Sequence, residues 1–422
     1  MGKLEKYLSY KDSDVEWLGE IPEHWKVKKI KFVMNKIQTG TTPSTNNKNF
    51  FDGDLNWFNP KDLNQEILID SENKLSQLAL DRKEIKLFPK DSILIVGIGA
   101  TTGKTSYLTI NGTFNQQITG FHSTIHHNKF LFYVLRNFSK VFLNVASYTT
   151  LPILNNEFFK SFSIVLPPKE EQTKIASSLD EKTAQIDEVI SQKEKLIELL
   201  KERKQIVIND AVTKGLDKDV EFVDSGVEWI GKIPKHWEVI KFKHLFYEKK
   251  KTHDISLNCG SISFGKVIEK NDEKIPASTK ASYQVLNKGE FLINPLNLNY
   301  DLKSLRIGLS DLDVVVSSGY IIIKNKENID KIYFNWLLHR YDISFMKTLG
   351  AGVRQTLNFG DIAETLLVNP PLEEQIKIAE YIENQTIKID KAIELQQNYI
   401  SKLKEYKASL IDSVVTGKVR VV

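Results

Sequence analysis

The chain has 422 residues, 41% hydrophobic and 27% charged, a balance that suits a soluble globular protein with room for two or three domains. Its 58 Lys and Arg against 54 Asp and Glu leave a net charge of only +4. Nucleic acid is therefore neither demanded nor excluded, and any DNA site must come from basic residues gathered on one face. The single cysteine, Cys259, excludes an internal disulfide framework and a cysteine-rich zinc site. With no apolar leader and no long apolar run, the expectation is a cytoplasmic protein with no membrane association.

The first element is a motif that returns. Residues 12–31 read DSDVEWLGEIPEHWKVKKIK, and residues 224–243 read DSGVEWIGKIPKHWEVIKFK. Trp17, Pro22, His24 and Trp25 match Trp229, Pro234, His236 and Trp237. The tryptophans are most simply domain anchors, with contact to a partner subunit as the functional alternative.

Residues 33–166 read as a compact mixed α and β insert. A strand is expected over 92–97 (SILIVG) and a helix over 130–142. Its loops are dense in amides, hydroxyls and lysines, the side chains that read base edges and bind phosphates. The DNA-binding candidates here are Lys36, Gln38, Thr39, Thr41, Asn56, Asn59, Lys61, Lys104, Asn115 and Gln116. The segment 97–105 (GIGATTGKT) looks like a phosphate loop but fails the count, because Ile98 stands where the first glycine belongs. A tight turn carrying Lys104 towards DNA is the better reading. His122, His126 and His127 cluster without the companions a zinc site needs.

From Pro168 the sequence starts a long helix. Proline suits the first turn, and Glu170 and Glu171 suit its positive end. Ile175, Leu179, Ile186, Ile190, Ile197, Leu200 and Val207 form one stripe, and Lys214-Gly215 is a plausible stop.

The second insert, 245–369, carries strand-like residues at 313–323 and helix-like ones at 332–345. Its DNA-binding candidates are Lys249, Lys250, Asn297, Lys303, Arg306, Arg354 and Gln355. Asn369-Pro370-Pro371-Leu372 resembles a methyltransferase tetrapeptide, but Leu372 replaces the aromatic that would stack on a flipped base, and helix initiation explains the prolines. A second long helix follows, with Ile378, Ile382, Ile389, Ile393, Ile400, Leu403 and Leu410 on its stripe and an end near Thr416-Gly417.

The two helix starts, PPKEEQTKIA from 167 and PPLEEQIKIA from 370, are again one motif written twice. Each helix spans about 45 residues, roughly 65–70 Å. A helix that long with a narrow apolar seam needs a partner along its length. Antiparallel pairing of the two copies is the simplest solution. The expected fold is α+β: target-reading domains at 1–166 and 216–369, and spacer helices at 167–215 and 370–422, related by a pseudo-two-fold axis.

The doubled PPxEEQxKIA and EWxGxIPxHW motifs resemble those of type I restriction specificity subunits. Within the inserts, FNQQITGF and PKDSILIVGIGATTGKT resemble one branch of that family's target-recognition domains, while KGEFLINPLN and GAGVRQTLNFGDIAETLLVNPPLEEQ resemble another. The resemblance implies a non-catalytic subunit that reads a split double-stranded DNA target. Two methyltransferase subunits and the restriction subunits would be its partners, and S-adenosylmethionine, ATP and Mg would reside on them, with no cofactor or metal in this chain. A self-contained adenine methyltransferase and a coiled-coil adaptor without a DNA role are the competing readings.

Overall fold

The computed structural model describes residues 5–146, 153–296, 305–348 and 356–421. The chain divides into two compact units, residues 1–193 with 398–422, and residues 194–397. The division runs across both long helices rather than setting them apart as spacer domains, so each unit owns half of each.

The first unit is built around a five-stranded sheet in the order Lys36–Thr39, Ile118–His122, Ser92–Val96, Thr105–Leu108, Ile67–Leu68. All pairings are antiparallel except the last. Ser92–Val96 is buried along its whole length, which is why it reads as a continuous apolar run instead of alternating. A second sheet sets Leu55–Phe58 between Thr113–Phe114 and Lys74–Leu75. Phe58, Phe88, Leu94, Val96, Leu108, Phe114 and Ile118 fill the core. The helix Asn128–Asn137 covers the larger sheet, with Phe132 against Tyr107 at 5.5 Å between ring centres.

The second unit uses a different sheet, wholly antiparallel, in the order Phe246–Glu248, Ile321–Asn325, Phe291–Ile293, Ile307–Leu309. The helix Lys331–Ser344 packs on Ile307–Leu309, and its Asp330 cap accepts the Tyr333 amide. A hairpin, Gly260–Ser263 with Lys266–Glu269, stands beside it.

What the units share is their frame. In the first, Lys26–Lys29 pairs antiparallel with Ser163–Leu166, the strand that feeds the first long helix. In the second, Glu238–Lys241 pairs the same way with Leu366–Asn369, which feeds the second long helix. The repeated stretches of sequence are thus the two ends of one repeated ladder.

The long helices run Lys169–Lys214 and Leu372–Val415, 46 and 44 residues. In the first unit Lys407 pairs with Asp187 at 2.6 Å, and in the second Lys204 pairs with Asp390 at 2.7 Å. From Asp187 to Lys204 the first helix advances by the same number of residues that the second retreats from Lys407 to Asp390, an antiparallel register. The expected seam is buried at Ile175, Leu179, Ile186, Ile190 and Ile400 in the first unit, and at Ile197, Ile378 and Ile382 in the second. Leu403, Leu200, Ile389 and Ile393 are half-buried, because a two-helix seam covers only one side of each side chain.

Candidate nucleic-acid interface

The doubled motifs meet in space. In the first unit the Glu171 carboxylate, in the first helical turn, accepts from His24 Nε2 (2.8 Å), Trp25 Nε1 (3.2 Å) and the Tyr7 hydroxyl (2.6 Å). Burial and that carboxylate push the Tyr7 phenol well above its ordinary range, so it stays a donor. In the second unit Glu374 accepts from His236 Nε2 (2.7 Å) and Trp237 Nε1 (3.0 Å). The following glutamine is buried in both. Gln172 Nε2 donates to the Pro167 carbonyl and its oxygen accepts the His127 amide. Gln375 repeats this with the Pro370 carbonyl and the Asp330 amide. The Asn369-Pro370-Pro371 stretch is accordingly part of a helix start, with Asn369 Oδ1 accepting from Gln375. Trp25, Trp237 and Trp229 are buried anchors, whereas Trp17 lies half open, stacked on Phe162 at 5.1 Å.

The insert of the first unit carries a shallow cleft of about 470 Å³. Its floor is the turn Ile98–Gly99–Ala100–Thr101 and its walls include Trp57, Asn59, Lys61, Asn115 and Gln117. The phosphate-loop look-alike is thus the turn between two sheet strands and lines this cleft. Trp57 is fixed by its indole N–H donating to the Thr41 carbonyl at 3.2 Å. Three of the expected residues, Asn59, Lys61 and Asn115, come together here. Lys61 is exposed and pairs with Glu72. Lys104 is exposed and reaches Asn64, and Gln116 is exposed and accepts a hydrogen bond from the Thr42 hydroxyl.

Others serve the fold. Asn56 Oδ1 accepts the Ser71 amide and hydroxyl, and Thr39 donates to Asn156. Gln38 is half-buried in its strand opposite Gly120. Lys36 donates to the Leu87 carbonyl at 2.8 Å and lies over the Phe88 ring, where burial lowers its pKa. His122 and His126 contact Ser92 and Gln172, and His127 caps a helix. Among the described residues no group of three or more His, Cys, Asp or Glu could hold a metal.

In the second unit the structure redraws the expected set. Arg306 is 6% exposed, and its guanidinium Nε donates to the buried Asp342 at 2.8 Å. Asp342 is thus its counter-ion within the fold, while the two terminal guanidinium nitrogens have no partner among the described residues. Lys249 donates to the buried Glu290 at 2.7 Å and is largely committed as well. Lys250 is exposed. Asn297, Lys303, Arg354 and Gln355 lie outside the described residues.

Two features escaped the sequence reading. Gln117 belongs to the cleft although its neighbour Gln116 looked equally eligible. On the first long helix Val189, Leu196, Leu199 and Ile206 are exposed, a second apolar stripe at spacings of seven and three. That heptad signal was visible and is what a partner helix would need.

No helix among the described residues is long and apolar enough to cross a membrane. Residues 22–199 and 234–405 each match the family described as "Type I restriction modification DNA specificity domain". The chain is 26% identical to the type I restriction enzyme MjaIX specificity subunit of Methanocaldococcus jannaschii, covering 100% of this chain and 99% of that one. It is also 26% identical to the MjaVIII specificity subunit of the same organism, over 95% and 94% of the two chains. In fold it resembles the HsdS subunit from Thermoanaerobacter tengcongensis, with a TM-score of 0.55 at 15% identity over 94% of this chain and 98% of that one. It is more similar still to a chain of a type I R-M system solved to explain complex assembly and conformational transition, with a TM-score of 0.70 at 14% identity over the same shares. With both halves matched and the frame built twice, the chain belongs to the type I restriction-modification DNA specificity family, the non-catalytic DNA-recognition subunits of those systems.

Proposed function

We propose that the chain reads a split DNA sequence, one half with each insert, while the paired helices set the spacing and two methyltransferase subunits dock on the repeated frame. The observation that carries this reading is one clamp built twice, Glu171 with His24 and Trp25 and Glu374 with His236 and Trp237, holding two sheets of unlike order. Like frames offer like docking sites to one kind of partner, and unlike inserts suit unlike half-sites. The exposed stripe through Leu196 and Leu199 supports helical docking. Restriction subunits would join the same assembly. S-adenosylmethionine, ATP and Mg would be bound by those partners, in the cytoplasm.

Methylome sequencing of cells carrying this chain and its modification subunit tests the reading. The expected result is one motif of two defined halves around an unread spacer. Exchanging residues 33–166 for those of a relative should change one half and keep the other. A single contiguous motif would refute the proposal.

A further inference from the structure

The cleft of the first unit has a chemical polarity that its residue types alone do not reveal. The amide N–H of Gln117 can only donate, and it points at the Asn115 side chain at 3.0 Å. The Asn115 atom facing it must therefore be Oδ1. That leaves Nδ2 of the buried Asn115 facing Asn59 at 3.2 Å and the Gln117 side chain at 3.3 Å. A donor needs acceptors, so Asn59 Oδ1 and Gln117 Oε1 are the atoms turned inward. Their amino groups, Asn59 Nδ2 and Gln117 Nε2, are left to the cleft and donate to no group among the described residues. Gly99 keeps the approach open: an alanine Cβ there would sit 3.6 Å from Gln117 Nε2. Lys61 also lines the cleft, its charge shared with Glu72, and none of the described residues lining the cleft is a carboxylate.

We propose that this cleft takes an acceptor-only face of DNA, either the N7 and O6 edge of a guanine or a backbone phosphate, with Asn59 and Gln117 as donors and Asn115 as the residue that positions both. An adenine or cytosine edge presents an amino group to the major groove and fits two outward donors poorly. The inference rests on the DNA-reading function above.

The test uses the chain assembled with its modification subunits and duplexes carrying its methylated motif. One series replaces single guanines by 7-deazaguanine, and another replaces single phosphates by neutral methylphosphonates. One position in the half-site read by the first insert should weaken binding by about tenfold or more, the scale of a lost base or phosphate contact. Gln117→Ala should abolish that position's effect and spare the other half-site. A deazaguanine position identifies the guanine edge, and a methylphosphonate position identifies the phosphate. Asn115→Asp should turn both amides round, carbonyls outward, and remove the same sensitivity. Should that variant not fold, Gln117→Ala carries the test alone. If no position in either series depends on Gln117, the inference is overturned while the split reading stands. If no substitution in either half matters, the DNA-reading function itself has failed.

Discussion

The close of each long helix on the repeated HW motif can be tested with two glycines of one unit. Gly417 ends the second long helix at φ +78°, and Gly19 lies in the opening motif at φ +62°. Both sit in left-handed backbone, where an L side chain costs about 1–2 kcal/mol. They differ in surroundings. A Cβ on Gly417 would overlap Pro22 Cδ, lie 2.7 Å from Pro22 Cγ and 3.1 Å from the Trp25 ring, whereas a Cβ on Gly19 meets nothing within 4 Å. Overpacking a closed contact adds about 1–3 kcal/mol. Gly19→Ala should therefore cost about 1–2 kcal/mol and Gly417→Ala about 2–5 kcal/mol. For a unit of about 200 residues each kcal/mol lowers Tm by about 2–4 °C. Calorimetry of the full chain, with hydrogen exchange across residues 21–25 to localise the loss, reads the difference. Equal losses in the two variants would refute the claim that the helix end and the motif close on each other.

Three further outcomes follow from the same contacts. Glu171→Ala strands the buried Trp25 indole N–H and should destabilise the first unit by about 1–3 kcal/mol, with Glu374→Ala doing the same in the second; both are read by thermal melting. Burial holds His339 down at about 4 against its ordinary 6.5, while backbone contacts at Ile307 and Gly265 pull less strongly the other way. The unfolded chain then binds this proton more tightly, so the second unit should lose up to about 3 kcal/mol as pH falls from 6.5 to 4. His339→Gln should flatten that slope in pH-dependent denaturation. Finally, inserting seven residues into both helices, near Lys195 and Asn398, should lengthen the unread spacer of the methylated motif and keep both half-sites; an unchanged spacer would contradict the proposal that the paired helices set the spacing.

The frame was legible because it is local and repeated. A run such as PPxEEQ announces a helix start through chain-local physics, and the stripe through Ile175 and Ile378 needs only a period. The duplication then paired distant segments without any energetic argument. What the sequence could not show is which polar side chains are already spoken for. Arg306 and Lys249 have the chemistry of DNA-binding residues, but their partners Asp342 and Glu290 lie 36 and 41 positions away. Nothing in composition distinguishes an arginine that neutralises a buried aspartate from one that meets a phosphate. The same blindness hid Gln117, whose role depends on which way its amide faces.

The wiring explains how two unlike inserts coexist with one frame. Each unit draws on both copies of the repeat. The first unit holds Trp25 and Glu171 of the first copy and Gly417 of the second, and the backbone amide of Arg420 returns to the Glu5 carbonyl at 2.7 Å. The second holds Trp237 and Glu374 of the second copy and Gly215 of the first, where a Cβ would sit 3.0 Å from Trp237. The contacts that secure a frame are therefore made by repeated residues. The inserts add their own cores, Phe58 and Phe114 in one and Leu292 and Val314 in the other. In the second unit a larger core also runs from the frame residues Trp229, Trp237, Ile378 and Ile382 into the insert residues Phe246, Phe291, Ile307 and Tyr333, so frame and insert are coupled in stability there, as residues in contact are. A replacement insert must therefore keep the apolar face that it lays on the frame, whereas a cluster such as that of Leu292 and Val314 can change without touching the clamp on Glu374.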